Sequence, residues 1–166
     1  AAFLLPIIQD LLTQCEFYKK HGTTYNIRGV VNADNTNGQI PFGTQIGSSN
    51  NYFLIQPLAL ILAPTRELVI QITKEALKFT YHTPVKVGTA YGGVSPYQQL
   101  LDLYRNGCSI LVACPGRLKD QCSQNQISLE HVKYLVLDEA DRMLDMGFLP
   151  QIHEIVHDFN MPNKGS

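Results

Sequence analysis

No apolar run in this 166-residue sequence approaches the roughly 20 residues a membrane-spanning helix needs, which argues against a helical membrane protein. The opening Ala1-Ala2-Phe3-Leu4-Leu5 lacks the basic flank and cleavage site of a signal peptide, so a soluble, intracellular protein is expected. Cysteine is sparse: Cys15, Cys108, Cys114 and Cys122 form no C-x-x-C pair, and a chain of this size needs no disulfides to fold. They are expected to be reduced, small apolar residues. An excess of charge of either sign is also missing. With 13 basic and 14 acidic side chains and a net charge of -1, any contact with phosphate must come from local groups. From about 21 to 56 charge almost disappears, leaving Arg28 and Asp34 after Gly22 among Asn, Gly, Thr, Ser and Gln. This stretch reads as a polar, mobile insertion.

What remains is ordinary globular material, 45% hydrophobic and 16% charged, enough for one domain with a real core. Phe3, Leu4, Ile7, Ile8, Leu11, Leu12 and Cys15 fall at helical spacing despite Pro6. After Pro57 the chain alternates. Leu58 to Ala63 is a continuous apolar run suited to a strand buried on both faces. A helix comes next, capped by Thr65, with Leu68, Ile72, Ala76 and Phe79 as its apolar stripe. Val85 to Ala90 reads as a strand. Ser95-Pro96-Tyr97-Gln98 reads as a capped helix start, and Gly107 as that helix's end. Ser109 to Ala113 is a strand, 117 to 123 a helix, Tyr134 to Leu137 a strand, and Phe148 to Phe159 a helix with Ile152, Ile155 and Phe159 inward. Strands separated by helices imply βαβ units and a mostly parallel sheet.

In such sheets the loops leaving the carboxyl ends of the strands share one edge, and ligands bind there. Pro64-Thr65-Arg66-Glu67, Gly92-Gly93, Cys114-Pro115-Gly116-Arg117 and Asp138-Glu139 each come directly after a strand, so four polar or glycine-containing corners are expected on one edge. In the last of them, Tyr134-Leu135-Val136-Leu137 stops at two adjacent carboxylates. That pair suits a hydrated magnesium ion, which keeps several waters and takes one or two carboxylates plus phosphate oxygens. Asp138 would hold the ion through water, Glu139 would polarise an attacking water, and Asp141 would be available to couple to other loops. A bland alternative is an acidic turn at a helix N-terminus.

These residues closely resemble the DEAD-box RNA helicases. Pro64-Thr65-Arg66-Glu67-Leu68 with Gln71 is similar to motif Ia, Gly92-Gly93 to the GG motif, Cys114-Pro115-Gly116-Arg117 to motif Ib, and Asp138-Glu139-Ala140-Asp141 to motif II. The flanking Arg142-Met143-Leu144-Asp145-Met146-Gly147-Phe148 also resembles the family, and Met161-Pro162-Asn163-Lys164-Gly165 is similar to its Vasa and Belle subgroup. Cys114 is a departure, because motif Ib usually begins with Thr. The resemblance implies an α/β fold, a RecA-like three-layer αβα domain of P-loop NTPase type, with residues 1–166 as part of the N-terminal RecA-like helicase ATP-binding domain. It also implies ATP and magnesium as cofactors, with Asp138 and Glu139 at the nucleotide. RNA would be touched through its backbone by Pro64, Thr65, Arg66, Gly92, Gly93, Pro115, Gly116 and Arg117. A second RecA-like lobe of the same protein would be the partner, the protein would be monomeric, and its place would be the cytoplasm, the nucleus or RNP granules.

No G-x-x-x-x-G-K-[ST] phosphate loop occurs in these residues; Gly43-Thr44-Gln45-Ile46-Gly47-Ser48-Ser49 has the wrong spacing and no Lys. Ala-Ala-Phe-Leu-Leu-Pro resembles the segment directly after that loop in the family, so the chain reads as an internal fragment, expected to be inactive by itself. Two other functions compete. A non-catalytic RNA-binding or scaffolding domain would keep the fold without turnover. His153-Glu154-Ile155-Val156-His157 fits H-E-x-x-H, the helical pattern of zinc metalloproteases, with a polar helix face as its bland reading.

Overall fold

A strand with no polar side chain must be covered on both sides, and the run after Pro57 meets that requirement. In the computed structural model, which describes residues 2–22, 25–32, 44–45, 52–159 and 161–162, the first half contains α1 (Leu4–Lys20), β1 (Val30–Asn32), β2 (Thr44–Gln45), β3 (Tyr52–Ile55), β4 (Ala59–Leu62) and α2 (Arg66–Thr80). The second half contains β5 (Val87–Ala90), α3 (Pro96–Asn106), β6 (Ile110–Ala113), α4 (Pro115–Ser123), β7 (Tyr134–Leu137), α5 (Ala140–Asp145) and α6 (Leu149–His157).

Four strands form a parallel sheet in the order β5-β6-β4-β7. Because side chains alternate across a strand, β4 sends Leu60 and Leu62 to one face and Ala59 and Ile61 to the other, and all four are fully buried. Leu60 and Leu62 share a cluster with Leu100 and Leu103 of α3, Leu118 of α4, and Ile152 and Ile155 of α6. Ala59 and Ile61 pack with Leu4, Ile7, Ile8 and Leu11 of α1 and with Val69, Ile72 and Ala76 of α2. Helices on both faces of a parallel sheet make the expected three-layer αβα domain.

Two expectations need correction. Phe79 does not belong to the buried stripe of α2. That stripe is Val69, Ile72, Ala76 and Thr80, and Phe79 is 44% exposed, because four residues beyond Ala76 keeps the inward direction better than three does. A short helix, α5, stands between β7 and α6, on residues to which the sequence reading assigned no element.

The second concerns the stretch from 21 to 56. Its described ends are built into the domain, since β1 and β2 pair with β3 in a second, antiparallel sheet and Ile55 is fully buried beside Ile127. Gly29 adopts φ +66, and a Cβ there would lie 2.0 Å from the Cys108 carbonyl oxygen, so this segment lies against the main sheet as only glycine permits. Tyr25 stacks on Tyr18 at 5.0 Å, and its hydroxyl donates to Gln14 Oε1. The remainder of the insertion, including most of the Gly43-to-Ser49 string, lies outside the described residues.

Candidate functional site

Four strands in parallel register end together at Leu62, Ala90, Ala113 and Leu137. Backbone bonds carry the ladder one residue into the corners. Ala63 N–H donates to Ala113 O at 3.0 Å, Cys114 N–H to Ala90 O at 2.9 Å, and Asp138 N–H to Leu62 O at 2.9 Å. All four corners therefore leave the same edge, as their positions after strands require.

In the first corner Pro64 is buried, and the Thr65 hydroxyl accepts the Leu68 N–H at 3.2 Å as the N-cap of α2. Arg66 does not reach into solvent unaccompanied. Its guanidinium carbon lies 5.1 Å from the centre of the Tyr91 ring, and Nη1 stands 3.4 Å from where a Cβ on Gly93 would be. Glu67 is exposed in the first turn.

Arg117 makes a second brace. Its Nη1 donates to Gln99 Oε1 at 2.8 Å and its Nη2 to the Val94 carbonyl at 3.0 Å, while Gln99 Oε1 also accepts the Tyr91 N–H at 3.3 Å. The corners at 64–67, 91–94 and 114–117 are thereby fastened into one unit. Neither Tyr91 nor Gln99 was singled out in the sequence. A signal existed for Gln99, which sits four residues before the buried Leu103 and so on the apolar side of α3.

Glycine has two different roles here. Gly93 adopts φ +82, which turn geometry alone explains, whereas Gly92 and Gly116 have ordinary φ and open space where a Cβ would stand. Packing does not demand glycine at those two positions, and its absence of side chain leaves backbone open to close approach. Helix α4 begins at Pro115, which is buried, and not at 117 as expected. Cys114, its N-cap residue, supplies no side-chain hydrogen bond. Burial, and secondarily the nearby Glu67 carboxylate, raise its thiol to about 11, so it stays protonated at neutral pH.

The acidic corner is built differently. Among the described residues the Asp138 carboxylate has no hydrogen-bonding or ion-pairing partner, although its backbone is tied to β4. Glu139 is held at φ 53, ψ 51, a left-handed conformation that costs a non-glycine residue about 1 kcal/mol or more. It does not cap α5. Its Oε2 accepts from Arg142 Nη1 at 3.2 Å, with both side chains about half exposed. Only Asp141, exposed in the first turn of α5, fits the bland reading of an acid placed to complement a helix N-terminus. An acceptor-only carboxylate with its lone pairs open, beside the central strand, fits a hydrated magnesium ion.

The H-E-x-x-H residues lie elsewhere, on α6. The His153 and His157 rings are 4.3 Å apart, but Glu154 is turned to Lys119 of α4 at 3.0 Å. Among the described residues no group of three His, Cys, Asp or Glu side chains could hold a metal ion.

Comparison with known proteins agrees with this geometry. The family profile described as DEAD/DEAH box helicase matches residues 1–165. The chain is 58% identical over 117 residues to the DEAD-box ATP-dependent RNA helicase 52A of Oryza sativa subsp. japonica, a match covering 70% of this chain and 19% of that protein. It is also similar to the crystal structure of the yeast DEAD-box splicing factor Prp28, with a TM-score of 0.58 and 43% identity, over 65% of this chain and 25% of the other. The chain thus spans about a fifth of the curated relative's length. With its profile matched along nearly the whole sequence, this chain belongs to the DEAD/DEAH box helicase family.

Proposed function

We propose that the protein is an ATP-dependent RNA helicase in which RNA-stimulated ATP hydrolysis drives local duplex unwinding or RNP remodelling, and that residues 1–166 are part of its N-terminal RecA-like ATP-binding domain. The observation that carries this reading is the contrast on one sheet edge between an Asp138 carboxylate without a partner among the described residues, next to a strained Glu139, and three corners already fastened together.

Asp138 would hold magnesium through water, and the bound ion would neutralise charge developing on the phosphates. Glu139 accepts a hydrogen bond from the attacking water and aligns it. Its left-handed backbone sets where that carboxylate points. Positioning of this kind, rather than covalent chemistry, is what phosphoryl transfer asks of a protein. Asp141 couples this corner to neighbouring loops.

RNA lies across Pro64, Thr65, Arg66, Gly92, Gly93, Pro115, Gly116 and Arg117. The N-termini of α2 and α4 offer backbone N–H groups to its phosphates, and Gly92 and Gly116 let the strand come close. Because Arg117 already donates to Gln99 and Val94, its main task is to hold these backbone donors in place, while Arg66, exposed and resting over the Tyr91 ring, also keeps its donors for phosphate. Contacts confined to the RNA backbone give little sequence preference. A second RecA-like lobe of the same chain completes the site, and the protein acts as a monomer in the cytoplasm, the nucleus or RNP granules. The 161–165 sequence supports a Vasa- or Belle-like subgroup.

The test is phosphate release by the intact protein with and without RNA, in wild type and in Asp138→Asn. Stimulation by RNA, lost in the variant, is expected. Turnover indifferent to both RNA and the substitution would refute the ATPase reading. RNA binding with no hydrolysis would leave a non-catalytic binding module.

A further inference from the structure

The opposite edge of the sheet, where β5 and β6 begin, is closed by backbone bonds. Ser109 and Ile110 N–H groups both donate to Lys86 O, at 2.8 and 2.9 Å, and Cys108 N–H donates to Arg28 O at 2.8 Å. These bonds gather three cations. A Cβ on Gly107, at φ +83, would meet Arg28 Cγ at 2.7 Å and Lys86 Cγ at 3.2 Å, so the two stems flank that glycine. Arg28 Nη2 donates to the Arg105 carbonyl at 2.8 Å, bringing the third cation alongside. All three side chains are exposed, and among the described residues none of them forms an ion pair with a carboxylate.

Arg28 is one of only two charged residues between Gly22 and Pro57, yet the fold pins it here. Two depressions adjoin the cluster. One, of about 260 Å³, is lined by Arg28, Tyr104 and Arg105. The other, of about 700 Å³, has Lys86 on its wall with Leu77, Tyr81, Val85 and Val87. Leu77 and Tyr81 are 51% and 75% exposed, large apolar surfaces standing beside positive charge that no carboxylate among the described residues pairs.

We propose that this edge is a docking surface for an acidic protein segment carrying an apolar or aromatic anchor. The anchor enters the larger depression between Leu77 and Tyr81, and flanking carboxylates meet Lys86, Arg28 and Arg105. Charge complementarity selects an acidic partner, since gathered like charges without counter-charges attract an anion. Leu77, Val85 and Val87 give the larger depression aliphatic walls that suit an apolar anchor, and the Tyr81 and His82 rings, 4.0 Å apart, offer it an aromatic side. This surface is separate from the corner edge and does not depend on the ATPase assignment.

The probe is a short fluorescein-labelled peptide of alternating Asp and Glu around a central Phe, titrated into the intact protein at low salt and read by anisotropy. Binding is expected to weaken as salt rises and to fall about tenfold in the triple variant Arg28→Gln, Lys86→Gln, Arg105→Gln, at roughly 0.5 kcal/mol for each exposed charge. Glutamine at 28 keeps a donor for the Arg105 carbonyl, and single Lys86→Glu and Tyr81→Ala variants, checked by thermal melts, guard against misfolding. Each single variant should also weaken the peptide, while a short single-stranded RNA should bind the triple variant as it binds wild type. Equal binding of a Lys-rich peptide, or an undiminished peptide affinity in the triple variant, would overturn the proposal. Loss of RNA affinity in the triple variant without any peptide binding would overturn it too, marking the edge as a nucleic-acid surface.

Discussion

The corners fastened by Arg66 and Arg117 and the corner carrying Asp138 and Glu139 occupy one sheet edge but are built on opposite plans. In the first group, Arg117 spends its donors on Gln99 and Val94, and Arg66 lays its guanidinium over the Tyr91 ring. In the second, among the described residues, one carboxylate has no partner and its neighbour sits in a strained backbone conformation with a half-exposed ion pair. Braced corners present backbone donors at little ordering cost, which suits a long ligand held through phosphates. Open carboxylates wait for charge from outside. On the proposed assignment, the difference separates a surface that is shaped before its ligand arrives from one that its ligand completes.

Removing the open corner's chemistry should have the largest consequence. Glu139→Gln in the intact protein is expected to lower RNA-stimulated hydrolysis by about a hundredfold or more while leaving nucleotide affinity near wild type, measured by phosphate release and by nucleotide titration. Unchanged turnover would remove Glu139 from its role. Next comes the brace. Arg117→Ala strips two hydrogen bonds and leaves Gln99 Oε1 short of a buried donor, so unfolding free energy should fall by about 2 kcal/mol and RNA affinity should drop with little change in nucleotide affinity. Equal losses for both ligands would mean the corners are not separate units.

These braces mark where the sequence was legible and where it was not. The strands and the corner positions could be read because apolar runs end abruptly in polar or glycine-containing strings, a pattern written within a few consecutive residues. Thr65 and Ser95 as caps were legible for the same reason. The Arg117 contacts span 18 and 23 positions, and no local pattern records which side chains meet across a sheet edge. The ends of the polar insertion were misread because composition marks them as loop, whereas their order comes from tertiary partners such as Arg105, Cys108 and Ile127. Phe79 shows the limit of spacing, since a residue three positions from the stripe falls on its flank.

Two smaller effects sharpen the comparison. Glu139→Gly removes the left-handed penalty, so the domain should become about 1 kcal/mol more stable by chemical denaturation even as hydrolysis is lost, placing strain and activity on the same residue. A loss of stability there would mean that the backbone is unstrained. Smallest is Cys114→Thr, which gives α4 the side-chain cap that it lacks and should stabilise by about 0.5 kcal/mol, with a modest gain in RNA affinity measured by anisotropy.

Hydrogen exchange on the intact protein, monitored separately with single-stranded RNA and with a non-hydrolysable ATP analogue, reads the shared edge most directly. RNA is expected to slow exchange at 65–67, 91–94 and 116–117, the nucleotide to slow it at 138–141, and neither to change 107–110 at the far edge. Protection by RNA at 107–110 with none at the three braced corners would contradict the assignment of that edge to RNA.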